Sequence, residues 1–328
     1  MTQYGLPLHS TCSMHDSTKL QTYMVCPRKY FYQYVVGWDI DVPNVHLEFG
    51  SAWHLTMEHL LIYGYERASI DAAYTKFCDH YNAHFSMEQD MQNGAKNKEN
   101  AYLALLQYAS LYKHRDTFDV LQTEIAGDVT LGDNRKVSFK IDAVCSSPER
   151  GIFCLEHKTT GGLTTLWQAE WQLKMQIHVY THVLRLCYPP EEVYGVEINA
   201  TCFRSMPRLK KDGTPYASDR GNEFLRLPIR KTTAAMQIWF EHIHELFDRL
   251  EYDFSLLAQT THDTPVMRAF SMNTESCTKY GVCPFHQICC NTLYANPLPY
   301  CDSIPLGYAE KRWDPREKEQ TAKKVIHV

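Results

Sequence analysis

Residues 136–160 read KVSFKIDAVCSSPERGIFCLEHKTT, two apolar, β-branched runs on either side of the turn-forming SPERG. Each run is long enough for a strand, and the short connection makes the pair an antiparallel hairpin. The two-residue side-chain period puts Glu156 and Lys158 on one face of the second strand and His157 on the other. Antiparallel pairing brings the Asp142 carboxylate beside Glu156, so two carboxylates and a lysine converge. Carboxylate oxygens are the hard ligands that Mg²⁺ or Mn²⁺ prefers, and a lysine beside such ions can orient or deprotonate a water and balance charge at phosphorus. The implied chemistry is phosphodiester hydrolysis. A solvated strand face with salt-bridge partners carries the same residues, so the spacing alone leaves both readings open.

Outward from the hairpin, VLQTEIAGDVTL (120–131) is a preceding strand joined through the Gly132-Asp133-Asn134 turn. Helical spacing returns over about 165–187, LWQAEWQLKMQIHVYTHVLRLC, as one crossover helix; VYGVEINATCF and NEFLRLPIR are two further strands. The N-terminal third reads as helical. Asp16 or Ser17 caps LQTYMV, Cys26-Pro27 interrupts, RKYFYQYVV resumes, and helices follow at about 49–65, 69–85 and 98–114. The last two are separated by SMEQDMQNGAKNK, an exposed connection, and a long helix of about 232–251 precedes a group of cysteines. The order predicts an α/β (α+β) core with a mixed central sheet and a helical N-terminal elaboration. We divide it into a helical region 1–115, a core 116–204, a basic insert with strand and long helix 205–271, and a cysteine-bearing tail 272–328, integrated as one domain.

Composition narrows the class. At 328 residues with 44% apolar, 22% charged and 12% aromatic content, the chain is not disordered, collagenous or of low complexity. It lacks the roughly 18 consecutive apolar residues of a membrane span, and MTQYGLPLHSTCS has no signal-peptide pattern, so a soluble intracellular protein is expected. The net charge of −5 excludes a chain basic all over but not a local basic track. That track is CFRSMPRLKKDGTPYASDRGNEFLRLPIRK, with Arg204, Arg208, Lys210, Lys211, Arg220, Arg226, Arg230 and Lys231 to follow phosphates and Phe203, Tyr216 or Phe224 to stack on bases. A solvated hairpin fits it equally. Arg28 and Lys29 are further candidates. No GxxxxGK[ST] loop is present, so unwinding duplex DNA would need a helicase or recombination partner.

Of twelve cysteines, Cys277, Cys283, Cys289 and Cys290 crowd into CTKYGVCPFHQICC, a density that points to metal rather than to packing. The single cysteines elsewhere read as small buried hydrophobes.

Five ordered blocks, LQTYMVCPRKYFYQYVVG, FGSAWHLTMEHLL, KIDAVC, CLEHKTT and QLKMQIHVY, followed by the C-terminal cysteines, resemble the PD-(D/E)XK nucleases. The nearest resemblance is to the RecB-like branch, which includes CRISPR-associated exonucleases with an iron–sulphur cluster. It implies a restriction-endonuclease-like core with Asp142, Glu156 and His54 as ligands of Mg²⁺ or Mn²⁺, Lys158 as the catalytic lysine, and Gln176 and Tyr180 at the active site and DNA. Glu124 resembles an additional acidic position. The resemblance also implies a [4Fe-4S] cluster on Cys26, Cys277, Cys283 and Cys289, with Cys290 as the spare for the last; four thiolates at this spacing would serve zinc as well. It implies a cytoplasmic exonuclease, of bacterial or phage origin, acting on single-stranded DNA or duplex ends. A non-catalytic DNA-binding or assembly module with the same fold is the competing reading, and an RNA substrate stays open.

Overall fold

The computed structural model describes residues 6–204, 210–211, 221–279 and 281–328. Helix α1 (Ser17–Val25) begins where the Asp16 carboxylate, 2.8 Å away, accepts the otherwise orphaned Lys19 amide N–H. Pro27 disfavours helix at the residue before it, so Cys26 is extended and the chain restarts as α2 (Pro27–Tyr30), then π-helical turns over Phe31–Val36 that end at left-handed Gly37. After the short strand β1 (Trp38–Ile40), Asn44 caps α3 (Val45–Tyr63), which therefore starts a turn earlier than its apolar pattern indicates. Helix α4 (Arg67–Asn82) follows. The expected irregular connection after it contains α5 (Met87–Gln92), nucleated by a capping box in which Ser86 and Gln89 satisfy each other's backbone N–H groups. Helix α6 (Lys98–Tyr112) completes this part.

The sheet is built from β2 (Asp119–Thr130), β3 (Lys136–Ser147) and β4 (Gly151–Thr160), then β5 (Val193–Cys202) and β6 (Glu223–Ile229). Between β4 and β5 the single crossover helix that was expected is two, α7 (Thr165–Trp171) and α8 (Met175–Cys187). No proline or glycine marks the break. Lys174 is extended there, and buried Lys231 donates its ammonium to the Gln172 carbonyl, a stabilising partner supplied from residues distant in sequence. The long α9 (Thr233–Ala258), α10 (His286–Cys290), β7 (Tyr308–Glu310), α11 (Glu317–Gln320) and β8 (Lys324–His327) finish the chain.

Strand order is β6-β5-β4-β3-β2-β8, with β4–β5 and β2–β8 parallel and the other pairs antiparallel, which is the mixed α/β architecture expected. Strands β1 and β7 form a separate antiparallel ribbon. Strand β8 was not foreseen, although Gly127 of β2 carries its signature: a Cβ there would lie 1.6 Å from the Ile326 carbonyl oxygen.

Helix α3 packs against β2, β3 and β4, while α8 packs against β3, β4 and β5. The larger apolar core joins α1, α8 and α9 to the sheet; a second gathers Phe49 and Trp53 of α3, Phe77 and Tyr81 of α4, and Tyr108 of α6 around Phe203. No helix among the described residues is long and apolar enough to cross a membrane.

Candidate active site

The hairpin register pairs Ala143 with Leu155, which sets Asp142 beside Glu156 as the strand pattern required. Asp142 is buried and accepts the His157 amide N–H through Oδ2 at 2.8 Å. Its other oxygen, Oδ1, lies 3.1 Å from Nδ1 of His54, which α3 carries across the sheet end. Burial would raise the Asp142 carboxyl, but the His54 ring beside it holds it well below the usual carboxylate range. Burial would likewise lower the His54 imidazole, and the Asp142 carboxylate overrides it, so His54 titrates above its ordinary value. When the ring is neutral and Nδ1 carries the proton that it donates to Asp142, Nε2 keeps its lone pair, an arrangement in which a carboxylate orients a metal-binding imidazole.

Glu156 is the most enclosed member. Its Oε1 accepts from the Lys158 ammonium and, at 2.9 Å, from the Gln176 amide, while Oε2 is buried with no hydrogen-bond partner. Burial, reinforced by the Asp142 charge, pushes its carboxyl up to about 7. A buried carboxylate oxygen without a partner costs roughly 1–3 kcal/mol or more, and a bound cation removes that cost. The donor set of two carboxylates and an imidazole suits Mg²⁺ or, with its nitrogen, Mn²⁺. Lys158 titrates above its usual value because Glu156 and Asp142 outweigh its burial, so it is a cation here.

Gln176 and Tyr180 stand one turn apart on α8, the amide donating to the phenol oxygen at 2.8 Å and the phenol donating to the Lys140 carbonyl. Tyr180 thus braces the Gln176 side chain that touches Glu156. Glu124, in a left-handed backbone conformation (φ 50°), lies in the same field: burial and the Asp142 charge raise its carboxyl, and it pairs with Lys140 at 2.5 Å.

Three residues, Glu58, Trp171 and Trp167, escaped the sequence reading. Glu58, one turn beyond His54 on α3, accepts from Thr123 at 3.1 Å and pairs with Lys323; its i, i+4 relation to His54 was the available signal. Trp171, at the end of α7, has Lys158 Nζ 5.6 Å and Lys174 Nζ 5.9 Å from its ring centre, and Trp167 packs edge-on against it at 5.7 Å. His157 turns away from the carboxylates, its Nδ1 meeting Asn199 at 2.8 Å, and burial lowers its imidazole to about 3.

The cysteines assemble from opposite ends of the chain. Cys277 Sγ lies 4.0 Å from the Asn273 carbonyl, and burial pushes the Cys289 thiol up to about 12. The Cys283 amide donates to the Cys277 carbonyl at 2.8 Å, and the Asn273 amide lies 3.4 Å from Cys26 Sγ. Cys290 is exposed, with Sγ 3.8 Å from the His286 ring nitrogens. Thiols drawn from both ends of the chain are the donors that an iron–sulphur cluster takes.

Much of the expected basic track is otherwise occupied. Arg28 is buried and donates to the Phe270 and Met267 carbonyls, Lys231 caps Gln172, and Arg204 pairs with Glu223 at 3.4 Å. Arg226 lies inside a polar node, 3.0 Å from Asp116 and 3.2 Å from Glu197. Phe203 is 3% exposed, wedged against Phe49 and Trp53, and cannot stack on a base. Lys210 and Lys211 are exposed; Arg208, Tyr216 and Arg220 lie outside the described residues.

A family model for the PD-(D/E)XK nuclease superfamily matches residues 17–290, from the capped start of α1 to the last cysteine of α10. No curated protein matches the sequence significantly. The match takes in every strand from β2 to β6 and both helices that pinch the carboxylate pair, so the chain belongs to the PD-(D/E)XK nuclease superfamily.

Proposed function

We propose that this nuclease is a metal-dependent exonuclease of the RecB-like branch that degrades single-stranded DNA or DNA ends. The observation that carries the reading is the buried, unpartnered Glu156 Oε2 facing a site built by Asp142, His54, Lys158 and Gln176. Asp142, Glu156 and His54 would hold Mg²⁺ or Mn²⁺, which supplies charge stabilisation at the scissile phosphate and a more acidic water. Lys158 carries a positive charge beside that phosphate and orients the nucleophile. Gln176, braced by Tyr180, fixes the Glu156 rotamer, and Glu124 with Lys140 sets the charge behind Asp142. Cys26, Cys277, Cys283 and Cys289 would hold a [4Fe-4S] cluster that staples α1 to the C-terminal segment.

The test uses anaerobically purified protein on 5′- and 3′-labelled single-stranded and duplex DNA, with Mg²⁺, Mn²⁺ or EDTA and Lys158→Ala alongside. Cleavage that needs the metal, starts from an end and disappears in the variant is expected; the same preparation should contain iron and labile sulphide. Binding without cleavage in any metal would favour a DNA-binding module, and zinc in place of iron would reassign the cysteines.

Single-stranded substrate is supported by Trp171 and Trp167, half-buried rings beside Lys158 and Lys174 at the site's rim. Base–aromatic stacking is worth about 1–3 kcal/mol per base, so Trp171→Ala should weaken single-strand binding roughly 5- to 100-fold at constant salt. Unchanged affinity in an anisotropy titration would remove Trp171 from the DNA path.

A further inference from the structure

Away from the carboxylate pair, the start of α3 meets the end of α4. Glu48 lies in the first turn of α3; His80 is in the last turn of α4, and His84 follows four residues later. Both imidazoles aim Nε2 at the same carboxylate oxygen, Glu48 Oε2, His80 from 3.4 Å and His84 from 3.3 Å. All three ligand atoms lie within 4.8 Å of one another. His80 Nε2 is buried and makes no hydrogen bond among the described residues, so its proximity to Glu48 is not explained by one. We propose that Glu48, His80 and His84 form a second metal site, for a zinc-type divalent ion, that clips the start of α3 to the end of α4.

The spacing fits the ion. Zn²⁺ binds imidazole nitrogen and carboxylate oxygen at about 2.0–2.2 Å, and tetrahedral geometry then separates neighbouring donors by about 3.3–3.5 Å. The two measured separations from Glu48 lie in that range. Two imidazoles and one carboxylate favour zinc, nickel or copper over Mg²⁺ or Ca²⁺, which take oxygen. The i, i+4 relation of His80 and His84 brings the imidazoles together, with ring centres 5.1 Å apart. The third ligand comes from a different helix, so the ion would cross-link the pair rather than decorate one surface. All three side chains are a quarter to a third exposed, leaving room for a water as the fourth ligand. Glu48 precedes His54 by less than two turns of α3, so a clip at Glu48 also steadies the helix that presents His54.

The experiment is a calorimetric Zn²⁺ titration of the holoprotein in excess Mg²⁺, with thermal melts with and without Zn²⁺, for wild type, His80→Gln/His84→Gln, Glu48→Gln and Glu156→Gln. Wild type and Glu156→Gln should take up the same zinc equivalent and melt higher with it. The histidine variant and Glu48→Gln should bind that equivalent more than about 100-fold more weakly, since even partners behind metal ligands are worth roughly 10–100-fold. Should the histidine variant fold poorly, Glu48→Gln, which keeps the side chain's shape, decides the matter. Equal zinc uptake and equal melting shifts in wild type and Glu48→Gln would overturn the proposal. So would loss of the equivalent in Glu156→Gln alone, which would assign the zinc to the catalytic carboxylates.

Discussion

Glu156→Ala lowers metal-dependent DNA cleavage by at least about 10³-fold while the protein stays folded. Metal ions contribute several kcal/mol of transition-state charge stabilisation, and about 4 kcal/mol is already a thousandfold in rate. Removing this carboxylate takes away both the unpartnered Oε2 and the oxygen that Lys158 and Gln176 grip. The fold tolerates the change because Lys158 remains about a quarter exposed and can turn to water. A pH signature accompanies it. The Glu156 carboxyl is held up to about 7, so below that value a proton must leave before a cation binds. Mn²⁺ affinity of the wild type therefore climbs with pH through about 7, and Glu156→Gln releases one proton fewer on binding, the remaining release coming from His54, which titrates above its ordinary value. End-labelled DNA assays and Mn²⁺ calorimetry in buffers of different ionisation enthalpy measure both. Wild-type cleavage by Glu156→Ala would remove Glu156 from the reaction.

Arg226→Ala destabilises the protein by about 3–5 kcal/mol, the cost of leaving buried charges without their partner. Arg226 sits between Asp116 at 3.0 Å and Glu197 at 3.2 Å, donates to the Tyr108 hydroxyl at 2.6 Å, and lies 4.4 Å above the Tyr112 ring centre. Both carboxylates have other partners, Tyr65 on Asp116 and Arg150 on Glu197, but neither replaces a fork that bridges them. For a chain of this length the loss corresponds to a melting point roughly 4–7 °C lower. Lysine cannot reproduce two-sided planar bonding, so Arg226→Lys recovers only part of it. The node also reaches the carboxylate hairpin: Tyr108 accepts from Asn199, Asn199 meets His157, and the His157 amide holds Asp142. Urea denaturation decides the point, and a midpoint within error of wild type for Arg226→Ala would show that the node carries no net stability.

The carboxylate hairpin was legible because strand alternation and a short antiparallel turn are local, and two residue numbers suffice to place Asp142 against Glu156. The capped start of α1 and the Cys26-Pro27 break were legible for the same reason. What escaped depends on partners distant in sequence. The α7–α8 break has no helix-breaking residue and is accommodated by Lys231. Strand β8 is short and exists because β2 offers it an edge at Gly127. Charge density over 202–231 suggested a DNA track, yet charge in a sequence does not reveal which arginine has two carboxylates waiting inside the fold, and Arg226 was among those misread. The residues matching the site motifs could be named from the sequence; the orphaned oxygen of Glu156 and the tryptophans beside Lys158 could be seen only in three dimensions.

Asp16, which caps the first helix, is fully buried and also holds Lys318 at 2.5 Å and the Trp313 indole at 3.1 Å. Together with β8 on β2, this makes the beginning of the fold wait for residues made some 300 positions later. During synthesis the carboxylate hairpin therefore emerges long before its supports. On a ribosome, this nuclease would remain incompletely assembled until these C-terminal residues have cleared the exit tunnel, and a chain stopped short of Lys318 would present an open sheet edge and an unpaired buried acid to the cell's proteases.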